Sequence, residues 1–141
     1  MAVFNKFHTF VEHIAEGVHN LQTGALKVLL TNTAPTAANS VRADLIELAA
    51  GNGYTTGGAT ATVASSAQTS GTYKLVLDDP PTWTATGSMG PFRYAVLYND
   101  TPTSPADPLI GWWDYGASIT LAAGETFRVD FDPTSGVLTL A

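Results

Sequence analysis

The sequence contains no cysteine and few charged residues. Without cysteine, the chain has neither a disulfide framework nor a cysteine-containing zinc site. Charged residues make up 13% of the 141 residues, against a usual ~25%, which is not the composition of a coiled coil. Aromatic residues are nevertheless plentiful, and together with the low charge they argue against a disordered chain.

Positive charge is especially scarce. Six lysines and arginines, scattered along the sequence, oppose twelve aspartates and glutamates, which gives a formal net charge of −6. Direct nucleic-acid binding requires clustered cations that neutralise phosphates, so we predict none. The negative charge instead permits docking on a basic protein surface.

Long apolar runs are also missing. None approaches the ~18 residues that indicate a membrane-spanning helix, and the first residues, Met-Ala-Val-Phe-Asn-Lys-Phe-His, lack the layout of a signal peptide. We therefore expect a soluble protein that is made in a cytosol and has no membrane contact. The length suits a single domain, 1–141, with a sizeable core.

The N-terminal region has the pattern of an amphipathic helix. Apolar residues recur at alternating spacings of three and four, which places them on one helix face; they are Phe4, Phe7, Val11, Ile14, Val18 and Leu21. Phe10 widens this stripe, and Gly24 is a suitable stop. The spacing predicts a helix from residue 4 to about 21, within an N-terminal helical region over 1–23.

Beyond residue 24 the periodicity becomes alternating, which is typical of β-strands. Threonine and glycine are abundant, which favours strands joined by tight turns. The turn signals predict about eight short strands over 24–141, arranged as a jelly-roll-like β-sandwich in a mainly β fold. Ser40, as a cap before apolar Leu45 and Leu48, predicts a short second helix over 41–50.

Three segments carry more specific expectations. The nearly continuous apolar run over 92–98 indicates a central strand that is buried on both faces. The segment 60–67 alternates only small residues, so its register is weakly specified and we place it at a sheet edge. The alternating segment 126–132, the turn that follows it and the segment 137–140 form the clearest β-hairpin signal.

The N-terminal region also holds the cluster of metal-type ligands His8, Glu12, His13, Glu16 and His19. Its spacing is not the His-Glu-x-x-His of a zinc protease, and we interpret it as a solvated polar face in preference to a metal site. A Ser-His-Asp triad would need a histidine outside this region, and the sequence has none. We therefore predict no transition metal and no cofactor.

The carboxylates of the β region and one glycine-rich segment are weaker signals. A glycosidase needs two carboxylates at a set separation across a cleft, but most of these aspartates occupy strand ends or turns, where aspartate is common. A calcium site through Asn99, Asp100 and Asp107 lacks an EF-hand pattern. The segment 51–58 lacks the Lys-Ser/Thr of a phosphate-binding loop, so we interpret it as a flexible turn. We predict that the protein is not an enzyme.

The strongest aromatic cluster is Trp-Trp-Asp-Tyr at 112–115. Because adjacent strand residues face opposite ways, one tryptophan should enter the core and the other point outward. An outward tryptophan is a sugar platform or an interface anchor, unless the other layer or the N-terminal helix covers it. We predict partner contacts by the N-terminal phenylalanines and one tryptophan, the alternative being that the phenylalanines pack on their own sheet. The candidate contact residues are Phe4, Phe7, Phe10, Trp112 and Trp113.

Motifs over nearly the whole chain resemble a group of small structural proteins encoded by tailed bacteriophages. They are packing and turn motifs rather than chemical ones, and they include Gly-Pro-Phe-Arg-Tyr-Ala-Val-Leu-Tyr-Asn-Asp at 90–100 and Ile-Gly-Trp-Trp-Asp-Tyr-Gly at 110–116. The others lie at 4–7, 10–12, 15–21, 26–28, 30–35 and 49–54.

The resemblance implies a capsid decoration or cement protein with a jelly-roll core. Such a protein binds the assembled major capsid protein at capsomer junctions and stabilises the phage head, because a ligand of the assembled state alone favours that state. The resemblance also implies a dimer or trimer on the outer capsid surface of the virion, after synthesis in the cytoplasm of the host bacterium. The alternative is a tail or fibre component that acts as a carbohydrate- or receptor-binding module, since jelly rolls often serve as lectins.

Overall fold

The structure, a computed structural model that describes residues 2–141, is mainly β, with 44% strand and 8% helical residues. Its strands are β1 (Asn5–Lys6), β2 (Leu26–Thr31), β3 (Ala59–Thr60), β4 (Val63–Thr69), β5 (Thr72–Leu77), β6 (Trp83–Thr84), β7 (Met89–Asn99), β8 (Leu109–Leu121), β9 (Thr126–Phe127) and β10 (Leu138–Leu140). One α-helix, α1 (His8–Ala15), and a 3-10 turn at Arg42–Asp44 complete the described elements. Neither of these helical segments has the length and apolarity to cross a membrane.

The strands form three antiparallel sheets. The largest has the order β1-β8-β7-β2-β3, and the others have the orders β10-β5-β4 and β6-β9. β7 lies in the middle of the five-stranded sheet, which confirms the central strand predicted over 92–98. β4 lies at the edge of its sheet and carries mostly exposed residues, which confirms the edge position predicted from its small side chains.

Both faces of the five-stranded sheet are buried near its centre. On one face, Val28 of β2 belongs to the same buried cluster as Leu75 of β5, so the five-stranded and three-stranded sheets share a core. On the other face, Leu29 and Val96 pack with Phe7 in a second buried cluster. The N-terminal phenylalanine therefore closes the face that the smaller sheets leave uncovered.

Helix α1 is shorter than the predicted helix from residue 4 to about 21, and this prediction was wrong at both ends. Before it, the chain is extended, because Asn5 and Lys6 pair with Trp112 and Gly111 of β8. After it, Gly17 adopts a φ of +75°, a conformation that glycine accepts without strain and that commonly ends helices. The described part of the 1–23 region, residues 2–23, thus contains a short strand, a two-turn helix and a loop.

The second predicted helix, over 41–50, is absent; only the 3-10 turn at its start is helical. The Asp44 carboxylate accepts hydrogen bonds from the amides of Ser40 and Val41, at 2.8 and 3.1 Å. The capping side chain of this turn is therefore Asp44, and not Ser40 as predicted. Beyond the turn, the Leu48 amide donates to the Leu30 carbonyl oxygen of β2 at 2.8 Å. Pairing with the sheet therefore replaces helical hydrogen bonds in this segment.

The hairpin predicted from 126 to 140 is also wrong, although its turn forms. The Asp132 carboxylate accepts from the amides of Thr134 and Ser135, at 2.7 and 3.1 Å. However, the strands on the two sides of this turn belong to different sheets, since β9 pairs with β6 and β10 pairs with β5. The alternation over 126–132 reflects one-sided burial and not pairing with the strand that follows.

Candidate functional site

Strand β8 begins as a core strand and ends as an exposed one. Residues 109–111 are buried, whereas residues 115–118 are exposed. Between the pairs Tyr94 with Asp114 and Phe92 with Ile119, β7 contains one residue and β8 contains four. The extra residues form a large irregular bulge, and bulges redirect side chains at sheet edges. Tyr115 stands on this bulge and is 58% exposed.

The two tryptophans of β8 lie half-buried on opposite faces of the sheet, and each is covered by a phenylalanine of the N-terminal segment. The rings of Phe7 and Trp112 are 4.6 Å apart, and those of Phe4 and Trp113 are 5.4 Å apart. The two tryptophans face opposite ways, as expected, but neither points outward uncovered; the stated alternative is the nearer one, although the cover comes from Phe4 and Phe7, which precede α1. β1 runs along the edge of β8 and places one phenylalanine on each face.

The predicted contact residues divide into buried and accessible ones. Phe7 is 0% exposed and Phe10 is 1% exposed. Both pack in the chain's own core, as the alternative for the N-terminal phenylalanines stated, and in this fold they offer no surface to a partner. Phe4, Trp112 and Trp113 are half-buried and retain some accessible surface.

An apolar depression, which we call the aromatic groove, lies beside Trp113. It is lined mainly by Phe92, Trp113, Tyr115, Phe127, Val129 and Phe131, and has a volume of about 150 Å³. Trp113 and Phe131 form one aromatic contact, with ring centroids 5.5 Å apart, and Tyr115 and Phe127 form another at 5.8 Å. Ala2 also borders the groove, so the N-terminal segment and the bulge of β8 meet there.

The rim of the groove is polar and carries one fixed ion pair. Arg93 binds the Asp114 carboxylate through two nitrogens, at 2.8 and 2.9 Å. The Arg93 guanidinium, followed by the hydrogen bond from the Gly116 amide, lowers the pKa of Asp114. Asp130 also lines the groove and is exposed. The groove thus combines aromatic walls with a weakly acidic rim.

The predicted polar face around the histidines is only partly solvated. His8, Glu12 and Glu16 are exposed, but His13 and His19 are 8% and 7% exposed. His19 lies 3.3 Å from the Asn99 side-chain nitrogen and packs on the ring of Phe10. Burial, with a smaller contribution from His13, lowers the pKa of His19 to about 4. This correction makes two of the three histidines core residues.

A second polar cluster, which the sequence did not indicate, surrounds Glu47. Its carboxylate accepts from the Tyr54 hydroxyl at 2.7 Å, from the Gly57 amide and from Arg42. Burial raises the pKa of Tyr54 above its usual range, so the hydroxyl stays protonated as a donor. Arg42 also reaches Asp107 at 3.5 Å. The hydrogen bonds of this cluster join groups of the protein to one another, and we interpret the cluster as one that holds the 41–58 region on the sheet.

The aspartates considered for calcium form ion pairs instead. Lys27 binds Asp100 at 2.8 Å and lowers the pKa of that carboxyl. Burial, and then the neighbouring Asp100, raises the pKa of Asp107. Across residues 2–141, no group of three or more histidines, aspartates or glutamates is arranged to hold a metal ion.

Of these features, the aromatic groove is the one suited to bind another molecule. Its walls can bury an apolar group, and its rim can orient a charged or polar one. The Trp-Trp-Asp-Tyr run signalled part of it, but Tyr115 was missed as a contact residue. Phe127, Val129 and Phe131 were interpreted only as strand residues, because their meeting with β8 depends on tertiary structure.

Comparison of the chain with protein family models, with curated proteins and with solved structures finds no match in any of the three.

Proposed function

We propose that this chain is a structural virion protein, a capsid decoration or cement protein that binds the assembled major capsid protein of a tailed bacteriophage. The observation that carries the proposal is the position of the aromatic groove. The motifs at 4–7, 90–100 and 110–116, which resemble the phage proteins, lie in or beside β1, β7 and β8. These strands are neighbours in one sheet, and the groove lies on that part of the molecule.

The proposed mechanism is stabilisation by selective binding. A protein that binds the assembled shell, and not free capsid subunits, shifts the equilibrium toward the shell. We infer a jelly-roll-like sandwich for the domain, which the core shared by the five-stranded and three-stranded sheets supports. In this proposal the protein is a dimer or trimer on the outer capsid surface, so that several grooves act together and raise the avidity.

Copy number in the virion tests the proposal. Particles of the phage that encodes this chain are purified, and the chain is quantified by mass spectrometry relative to the major capsid protein. We expect a fixed stoichiometry of hundreds of copies per particle, as a shell component requires. A handful of copies, or none, would contradict the proposal. Density for the chain at capsomer junctions in intact particles would locate the attachment site.

A tail or fibre component with a carbohydrate-binding role is the second candidate. Tyr115 is exposed beside the Arg93–Asp114 pair, and an aromatic face next to fixed polar side chains suits a sugar ring. This candidate predicts a few copies per particle and binding to a glycan array. Glycan binding that is lost in the Tyr115→Ala variant would favour it.

A further inference from the structure

We propose that the aromatic groove takes one large apolar side chain from an extended, basic segment of the major capsid protein. This inference rests on the proposed function for the identity of the partner. Its chemistry comes from the size of the groove, the charge of its rim and the unpaired backbone along one wall.

The size of the groove fits a single side chain. A volume of about 150 Å³ is that of a dry apolar cavity that accommodates a benzene-sized group. The walls are rings of Trp113, Phe127 and Phe131, which favour an aromatic or large aliphatic side chain over a polar one. Trp113 is held between Phe4 and Phe131, with ring centroids at 5.4 and 5.5 Å, so its faces are less suited to stack on a sugar.

The charge of the rim favours a basic partner. Arg93 is paired with Asp114, and Arg128 is hydrogen-bonded to Asp79, so the nearby cations are already engaged. The exposed Asp130 carboxylate lies near Arg128, whose pKa it helps to raise, but it has no hydrogen bond or salt bridge with any of residues 2–141. Asp79, Asp114 and Asp130 thus outnumber the two arginines near the rim, on a chain of net charge −6. A lysine or arginine beside the inserted side chain complements the Asp130 carboxylate and speeds association.

The backbone of the groove wall can pair with an added strand. Over 127–131, side chains alternate between half-buried or buried and exposed, which is the pattern of an extended segment. The backbone groups of Val129 and Asp130 make no hydrogen bond to any described residue, and the next amide, that of Phe131, donates to the Asp79 carboxylate at 2.7 Å. An extended peptide that adds to such an edge gains main-chain hydrogen bonds and places alternate side chains in one groove.

The first test uses a synthetic peptide, acetyl-Lys-Val-Lys-Phe-Lys-Val-Lys-amide, and isothermal titration calorimetry with the full chain. Two matched peptides replace the phenylalanine by alanine or all lysines by glutamate. We expect the first peptide to bind and each replacement to weaken binding by about tenfold or more. Equal binding of the alanine peptide, or no binding of the first peptide, would overturn the inference.

Variants of the chain locate the binding. Tyr115→Ala should weaken the first peptide about tenfold, and Asp130→Asn should weaken it several-fold while flattening its salt dependence. Glu12→Gln removes an exposed carboxylate on α1 and should bind as the wild type does. Both groove side chains are exposed, and circular dichroism of each variant verifies the fold. Unchanged binding in Asp130→Asn and Tyr115→Ala would overturn the inference, as would displacement of the peptide by a neutral oligosaccharide.

The same variants on phage particles separate this inference from the proposed function. If the wild type binds undecorated particles, and Tyr115→Ala and Asp130→Asn bind equally well, the groove inference is wrong while the decoration function stands. If the wild type binds the peptide but no particles, the decoration function is wrong, and the groove keeps its preference for basic, apolar segments. Loss of particle binding in both variants, with retention in Glu12→Gln, supports both.

Discussion

Trp112 and Trp113 are adjacent in β8 and each meets a phenylalanine of the N-terminal segment, yet their surroundings differ. Trp112 packs with Phe7, which is 0% exposed and belongs to a buried cluster. Trp113 packs with Phe4, which is half-buried, and borders the open aromatic groove. We call these the closed side and the open side of β8.

The difference teaches that the same type of aromatic contact can serve stability or binding, according to what covers it. On the closed side, the chain continues from Phe7 into α1 and buries the contact. On the open side, the bulge of β8 and the extended segment 127–131 meet through Tyr115 and Phe127, and together they line a groove that is open to solvent. A binding surface next to a rigid, closed core is held in shape without ordering on contact, which lowers the entropic cost of binding.

The largest expected effect is on the closed side. Phe7→Ala should lower the free energy of unfolding by about 3–5 kcal/mol, because it removes a fully buried ring and leaves a cavity beside Trp112 and Leu29. Urea denaturation followed by circular dichroism measures this loss. Val3→Ala, at a side chain that is 73% exposed, is the matched control and should be nearly unchanged. A Phe7→Ala variant as stable as this control would remove the distinction between the two sides.

The pH dependence of stability tests the packing of α1 and of the loop that follows it, because this region contains the buried His19. The pKa of His19 is about 4 in the folded chain and about 6.5 in an unfolded one. Between these values the unfolded state binds more protons. The contribution of His19 to the free energy of unfolding is therefore fully present above pH 6.5 and is lost as the pH decreases toward 4. From pH 7 to 4.5 we expect a loss of about 2–3 kcal/mol.

Urea denaturation at a series of pH values measures this loss, and two histidine variants assign it. His19→Gln should flatten the dependence between pH 6.5 and 4.5. His8→Gln replaces an exposed histidine and should leave the slope unchanged. A slope that persists in His19→Gln would show that another group causes it.

The open side should be less sensitive. Phe4→Ala should destabilise the chain by about 1–2 kcal/mol, since Phe4 is half-buried and its removal leaves the Trp113 ring more open to water. The comparison with Phe7→Ala under identical denaturation conditions is the measurement. Equal losses in the two variants would mean that the two sides are equally part of the core.

The smallest effect concerns the rim of the groove. Arg93→Gln breaks the two hydrogen bonds to Asp114 but should leave the urea midpoint within experimental error, because the pair is exposed and exposed ion pairs contribute little. A clear drop in the midpoint would show that the pair holds the bulge of β8 in place.

Local patterns predicted the parts of the fold that depend on a single segment. The apolar run 92–98 identified a strand buried on both faces, and the small side chains of 60–67 identified an edge. The ends of α1 could not be predicted in this way, because Asn5 and Lys6 are extended only through pairing with β8, more than a hundred residues later. Likewise, the segment 41–50 is not helical because the backbones of Glu47 and Leu48 pair with Thr31 and Leu30 of β2.

The candidate site was predicted in part. Trp113 was named from its run of aromatic neighbours, but Phe7 and Phe10 were assigned to a surface and are buried. An apolar stripe indicates that residues share a face, and it does not distinguish the chain's own core from a partner. The groove itself could not be predicted from the sequence, because it depends on the tertiary contact of Tyr115 with Phe127, whose ring centroids are 5.8 Å apart.

The absence of a side chain at Gly111 ties two distant positions of the sequence together. A Cβ there would touch the ring of Phe4 and would lie 2.8 Å from the carbonyl oxygen of Asn5, closer than folded chains allow. A smaller residue at position 4 would remove the contact with the ring but not the contact with the Asn5 carbonyl oxygen, which belongs to the backbone. Among natural variants of this chain, glycine should therefore be retained at 111 whichever residue stands at 4, because the close pairing of β1 with β8 depends on it.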